Sequence, residues 1–213
     1  MPAYSLPRRL PYSHLNLRRN PFGVPKPEER ADLVVANVSD IATQLLVPRT
    51  AIQLMGAHGR GKSSHLFALQ RELTERTQTP VPYARLRHSP EVPVKPIVLL
   101  DEAALLYRRR WWRLAGVQSL AVSTHLDLRP LLWTLGFRVE TLRIQGIQPQ
   151  QLHDIFQRRL EWARGGPGPI PSIPSTTIDV LIEQFGDDVR SMEKVLYQYL
   201  QDMEEIGDVQ MSH

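Results

Sequence analysis

Apolar positions recur along the chain with two periods. Up to about residue 146, short apolar runs alternate with longer stretches spaced three to four residues apart, and beyond it only the longer period remains. The short runs at 51–55, 81–87, 97–100, 119–123 and 137–144 predict strands. Those at 97–100 and 119–123 are apolar almost throughout, as in a strand covered on both faces. Helices are predicted over 29–46 (Leu33, Val34, Ile41 and Leu45 on one side), 62–77, 103–114 and 130–135. The last third predicts helices over 149–164 (Leu152, Ile155, Phe156 and Leu160 on one side), 177–185 and 187–203, with a Gly/Pro loop at 165–174. Alternating strands and helices build a parallel sheet with helices packed on it, an α/β fold, and the final helices form a smaller unit. Residues 1–28 carry Pro2, Pro7, Pro11, Pro21, Pro25 and Pro27 and are expected to form an extended arm. The expected division is therefore an arm at 1–28, a core at 29–147 and a helical part at 148–213. One connection is awkward. Residues 88–95, between the second and third strands, include prolines and are short for a parallel crossover, which needs a dozen residues or more. Either no helix lies there, or the second strand is misplaced or antiparallel.

Composition narrows the class. Hydrophobic residues make up 42% and charged residues 23%, a globular balance. With no cysteine, disulfides, thiolate metal sites and cysteine nucleophiles are excluded. No apolar run approaches the roughly 18 residues of a membrane span, and the start lacks a signal-peptide core, so a cytoplasmic protein without a membrane partner is expected. The formal net charge of +4 is unevenly placed. Residues 1–30 hold six basic side chains against two acids, and residues 179–208 hold nine acids against Arg190 and Lys194. Such a split suits nucleic acid at the basic end, or head-to-tail self-association into a ring or filament.

The most specific pattern is Gly56-Ala57-His58-Gly59-Arg60-Gly61-Lys62-Ser63, followed by Ser64. It satisfies G-x-x-x-x-G-K-[ST], between a predicted strand and a predicted helix. Glycines let successive amides turn inward around a phosphate, and the helix directs its positive end at the same anion. Lys62 can reach the β and γ phosphates, and the Ser63 hydroxyl can bind Mg²⁺. The strand at 97–100 ends in Asp101-Glu102. Asp101 can hold the metal's water shell, and Glu102 can orient and deprotonate an attacking water.

These two motifs, in this order, resemble a P-loop NTPase. Three further features resemble its AAA+ ATPase branch, in particular ATPases related to origin recognition, secretion and transposition. Asn20-Pro21-Phe22-Gly23 resembles the family's Asn-Pro-Phe segment, which implies that Asn20 and Phe22 lie near the adenine. Leu120-Ala121-Val122-Ser123-Thr124-His125 resembles the sensor 1 strand, which implies that Thr124 or His125 touches the γ-phosphate or the water. Gly186-Asp187-Asp188-Val189-Arg190 resembles sensor 2, which implies that Arg190 reaches back from a helical lid. The resemblance covers roughly residues 18–203. It implies a three-layer P-loop NTPase core with a parallel sheet and a small all-helical C-terminal lid, binding ATP and Mg²⁺. An arginine finger is not clear in the chain: Arg138, Arg129 and the run Arg108 to Arg110 all compete. Read from the residues alone, His125 could instead pair with Asp127, and Arg190 with Asp187 or a nearby glutamate.

Tyr107-Arg108-Arg109-Arg110-Trp111-Trp112-Arg113 joins guanidinium groups to indoles. It suits nucleic acid, a protein interface, or plain structure with both tryptophans against the sheet; helical spacing sets Leu105 and Trp112 on the apolar side, away from Leu106, Arg110 and Arg113. The expected function is ATP hydrolysis with Mg²⁺ that drives core–lid motion felt by a protein or nucleic-acid partner. The alternatives are a nucleotide-dependent switch or scaffold with little hydrolysis, and a small phosphotransferase.

Overall fold

A computed structural model describes residues 11–26, 29–30, 32–87, 91–93, 95–106 and 108–211, with the side chains of Arg108 and Arg109 excepted. The chain divides into two compact units, one formed by Pro27–Gly146 and the other by Met1–Lys26 together with Ile147–His213.

The first unit is a five-stranded sheet with helices on both faces. In chain order it contains α1 (Ser39–Leu45), β1 (Thr50–Met55), α2 (Lys62–Thr77), β2 (Tyr83–Arg85), β3 (Ile97–Asp101), α3 (Arg108–Trp111), β4 (Ser119–Thr124), α4 (Arg129–Thr134) and β5 (Arg138–Arg143). The strand order is β2-β3-β4-β1-β5, and every pairing is parallel. Side chains alternate across the sheet. Ala51, Val98, Leu100, Leu120 and Val122 pack on one face with Trp111, Leu114 and Leu132. Ile52, Leu54, Leu99 and Ala121 pack on the other with Ala42 and Leu45 of α1 and Leu66, Leu69 and Leu73 of α2. Strands with both faces covered must be apolar throughout, which is why β3 and β4 look continuous in sequence.

Three elements differ from the sequence expectation. The helix predicted over 29–46 is confined to Ser39–Leu45. Asn37 Oδ1 accepts the Ser39 amide at 3.2 Å, a side-chain bond that favours starting the helix there, and the β-branched Val34, Val35 and Val38 precede it. The second strand is real and parallel but spans only three residues. With so short a strand the chain returns only about 13 Å along β3, so the connection needs no helix. The helix predicted over 103–114 is broken into a 3₁₀ turn at Ala103–Leu105, α3, and a second 3₁₀ turn at Trp112–Gly116.

The second unit is helical: α5 (Pro149–Ala163), α6 (Ser175–Phe185) and α7 (Val189–Asp202). Leu152, Phe156, Leu160, Ile178, Leu181, Met192, Leu196 and Leu200 make its core. Residues 11–26, read from the sequence as arm, belong to this unit. Leu15, Leu17 and Phe22 are buried in its core, and Phe22 meets Phe156 edge-on at 5.5 Å. Arg18 caps the end of α5, donating to Trp162 O at 2.9 Å and Arg164 O at 2.8 Å. Arg159 donates to Pro21 O and Gly23 O and pairs with Glu193 at 2.8 Å.

Candidate nucleotide-binding site

The loop Gly56–Lys62 joins the end of β1 to the first turn of α2, and β1 lies beside β4, which lies beside β3. This order sets the loop, the end of β4 and the acidic end of β3 side by side. Gly59 and Gly61 adopt φ of +84° and +82°, a region glycine enters without penalty. A Cβ at Gly56 would collide with the Ile144 carbonyl, so the first glycine is required by a neighbouring backbone. Lys62 Nζ donates to Gly56 O at 2.8 Å and Ala57 O at 2.6 Å, curling back over its own loop.

Ser63 and Asp101 meet: the serine hydroxyl donates to Asp101 Oδ2 at 2.8 Å. The Asp101 side chain is buried and ringed by donors. Tyr83 donates to Oδ2 at 2.8 Å, while Oδ1 accepts from Ser123 and, at 3.1 Å, from the Glu102 amide. This hydroxyl–carboxylate pair at the mouth of a glycine loop fits a divalent cation bound to phosphates. Ser63 and Asp101 would hold the ion.

Glu102 sits at φ +58°, the left-handed region that costs a non-glycine residue of order 1 kcal/mol or more. Its amide donates to Ser123 Oγ at 3.0 Å, and its carboxylate pairs with Arg85 at 2.9 Å and Arg87 at 3.0 Å. Burial pushes this carboxyl up, but the two guanidinium groups outweigh it and hold Glu102 below the usual carboxylate range. Register explains the pairing: Tyr83 pairs with Leu99 and Arg85 with Asp101, so alternate side chains of β2 run toward the two acids.

Thr124 ends β4 and is buried, and its hydroxyl donates to Leu126 O and accepts from Leu126 N, both at 2.9 Å. His125 is exposed; it does not pair with Asp127, which instead takes Arg129 in two-pronged contact and is held far below its usual range by it. The His125 ring lies 5.9 Å from that of His58 in the glycine loop. The structure thus groups Gly56 through Ser64 with Asp101, Glu102, Thr124 and His125. Sequence reasoning missed Ser123, Tyr83 and Arg85. Ser123 lies within the Leu120–His125 stretch, where no local signal separates it from its neighbours; Tyr83 and Arg85 carry no motif and acquire meaning only from register.

Neither protein-family models nor curated protein sequences match the chain. Solved structures do. Domain III of the replication initiation protein DnaA from Thermotoga maritima is 12% identical with a TM-score of 0.57, over 83% of this chain and 90% of that one. The Aeropyrum pernix ORC1 protein, solved in complex with DNA, is 17% identical with a TM-score of 0.54, over 87% and 64%. A RuvB variant from T. maritima is 14% identical with a TM-score of 0.52, over 81% and 66%. The chain has the fold of the AAA+ P-loop ATPases. It spans about two thirds of the length of the ORC1 and RuvB chains.

The other residues that the AAA+ resemblance singled out have local roles. In the helical unit Asn20 is buried, accepting from Phe22 N at 3.0 Å and donating to Tyr197 O at 2.9 Å. Arg190 is exposed on the first turn of α7; burial pushes the nearby Glu193 carboxyl up, against the opposing charges of Arg159 and Arg190. Among the finger candidates, Arg129 is tied to Asp127, whereas Arg138 is exposed at the start of β5, the sheet end opposite the loop. Arg110 is half-buried; the side chains of Arg108 and Arg109 lie outside the described residues. Trp111, not Trp112, faces the core: it is buried, its indole donates to Leu106 O at 3.1 Å, and Trp112 is 65% exposed. Leu105 likewise faces out and Leu106 in, which reverses the apolar side assigned by helical spacing. The broken helix is the reason, since a 3₁₀ turn shifts the phase of every residue after it. Among the described residues no helix is long and apolar enough to cross a membrane.

Proposed function

We propose that this chain binds ATP with Mg²⁺ and hydrolyses it at the β–γ phosphoanhydride. The observation that carries the reading is the Ser63–Asp101 hydrogen bond at 2.8 Å beside the Lys62 loop. Lys62 leaves its loop carbonyls for the β and γ phosphates, and the loop amides and the start of α2 take the phosphate charge. The cation, when bound, neutralises charge between these phosphates. Ser63 and Asp101 hold it, Glu102 takes the proton of the attacking water, and Thr124 or His125 senses the γ-phosphate. Lys62→Ala is expected to abolish binding of ATP–Mg²⁺ in titration calorimetry. Unchanged affinity would remove this reading.

One observation favours a second reading. Glu102 is tied to two arginines, which suits a nucleotide-dependent switch that hydrolyses slowly until a partner frees the carboxylate. Phosphate release per site per minute separates the two. Nothing in the site favours a phosphotransferase over either. The partner is a protein or nucleic acid, and the exposed Trp112 and Arg113 are the candidate surface. Self-assembly into a ring or filament would give exposed Arg138 a neighbour's site to act on. Sedimentation with and without a slowly hydrolysed ATP analogue, at low and high salt, tests it; a monomer under every condition excludes that model.

A further inference from the structure

Strand β2 is too short to add much to the sheet, yet it directs Tyr83 and Arg85 at the acidic end of β3. Both approach one oxygen. The Tyr83 hydroxyl donates to Asp101 Oδ2 at 2.8 Å. Arg85 Nε lies 3.8 Å from the same oxygen, too far for a hydrogen bond. That Nε is buried, and among the described residues it has no hydrogen-bond partner. A buried N–H without a partner is costly, so Arg85 gains by closing on Asp101 whenever the space is free. Tyr83 holds the space. Its ring is fixed by Phe67, with centroids 4.7 Å apart, and Phe67 stands one turn along α2 from Ser63.

We propose that Tyr83 is a positioning residue that keeps Asp101 available to a divalent cation by holding the Arg85 guanidinium off Asp101 Oδ2. A hydroxyl donor orients the carboxylate and leaves its charge in place, so Ser63 can give its proton to Oδ2 and turn its lone pairs toward the ion. A guanidinium in that position neutralises the carboxylate and repels the incoming cation. Tyr83 therefore selects metal over arginine as the counter-charge of Asp101. The inference rests on the nucleotide–metal reading above and adds to it a residue that no motif marks.

The test is Mn²⁺ binding, followed by electron paramagnetic resonance, to the full chain in the presence of a non-hydrolysable ATP analogue. Tyr83→Phe keeps the ring and its stacking, so the thermal midpoint and metal-free nucleotide affinity are expected to stay near wild type. Mn²⁺ affinity is expected to fall roughly tenfold, the scale seen when support around a metal ligand is lost. Adding Arg85→Ala to Tyr83→Phe is expected to restore it, since no cation remains to close on Asp101. A Tyr83→Phe variant that binds Mn²⁺ like wild type overturns the proposal. So does a double variant as weak as the single one, because Tyr83 would then act only by orienting Asp101. If wild type takes up no Mn²⁺ with nucleotide, the nucleotide reading itself falls, and the proposal with it.

Discussion

In the proposed chemistry a single carboxylate, Glu102, carries both activation of water and restraint by Arg85 and Arg87. Glu102→Gln keeps a hydrogen-bonding group but removes the proton acceptor. It is expected to leave ATP binding intact and lower phosphate release by about 10²–10⁴-fold, the range typical of a lost general base. Turnover at the wild-type rate would place the base elsewhere. Arg87 is the more exposed of the two arginines on Glu102 and the easier to remove without disturbing Asp101. Because Arg85 and Arg87 hold Glu102 below its ordinary range, its ionised form persists into mild acid. The sign follows from a depressed folded value: the ion pairs stabilise the protein above the unfolded value, near 4.3 for glutamate, and that contribution is lost as pH falls through the folded one. Arg87→Ala is expected to move the acid limb of the hydrolysis profile to higher pH. It should also raise phosphate release near neutrality, because the freed glutamate is the stronger base. A profile that does not move would show that Glu102 is not the titrating group.

The broken element at residues 103–116 shows how a short helix reassigns neighbours. Trp111 and Trp112 are adjacent and chemically alike, but one is buried with its indole bonded to Leu106 O and the other is in solvent. Trp111→Ala leaves a large cavity and is expected to cost about 3–5 kcal/mol. Trp112→Ala removes an exposed ring and is expected to stay within roughly 0.5 kcal/mol of wild type. Thermal or chemical denaturation of the two variants checks the contrast directly. Equal losses would mean that both rings are buried. The same Trp112→Ala variant, sound in stability, is then suited to asking whether that surface contacts nucleic acid.

In the whole molecule, residues 11–26 are part of the helical unit's core. Leu15, Leu17 and Phe22 are buried with Phe156 and Leu196, Arg18 and Asn16 close the end of α5, and Arg159 grips the backbone at Pro21 and Gly23. Three buried apolar side chains at about 1.5–3 kcal/mol each rival the net stability of a small domain. Deleting residues 1–26 is therefore expected to unfold the helical unit while the sheet unit keeps its own transition. Calorimetry should show one cooperative peak lost and one retained. Two peaks in the truncated chain would mean that the segment is dispensable. Arg18 and Arg19 are engaged here, at α5 and over the Trp162 ring, so less of the basic charge is available for a partner than the sequence suggests.

The sequence alone determined the parallel α/β sheet, the helical tail, the glycine loop between β1 and α2, and the Asp101-Glu102 pair at a strand end. Each depends on short-range pattern: apolar runs for doubly covered strands, glycines where the backbone must turn around an anion, acids at a strand end. The three-to-four period likewise placed α5, α6 and α7 within a few residues. Tertiary structure decided the rest. Where α1 starts depended on the Asn37 side-chain bond to the Ser39 amide, together with the β-branched residues that precede it. Which tryptophan is buried depended on where a helix broke, and one 3₁₀ turn reverses the answer. The partners of Asp101 and Glu102 depended on β2 lying in parallel register against β3, which no local pattern encodes. Residues 11–26, expected to be extended but wound into a 3₁₀ turn at Ser13–Leu15, joined helices more than a hundred residues away because those helices expose an apolar face that Leu15, Leu17 and Phe22 cover. Period and motif are properties of neighbours in the chain, whereas register, capping and burial are properties of neighbours in space.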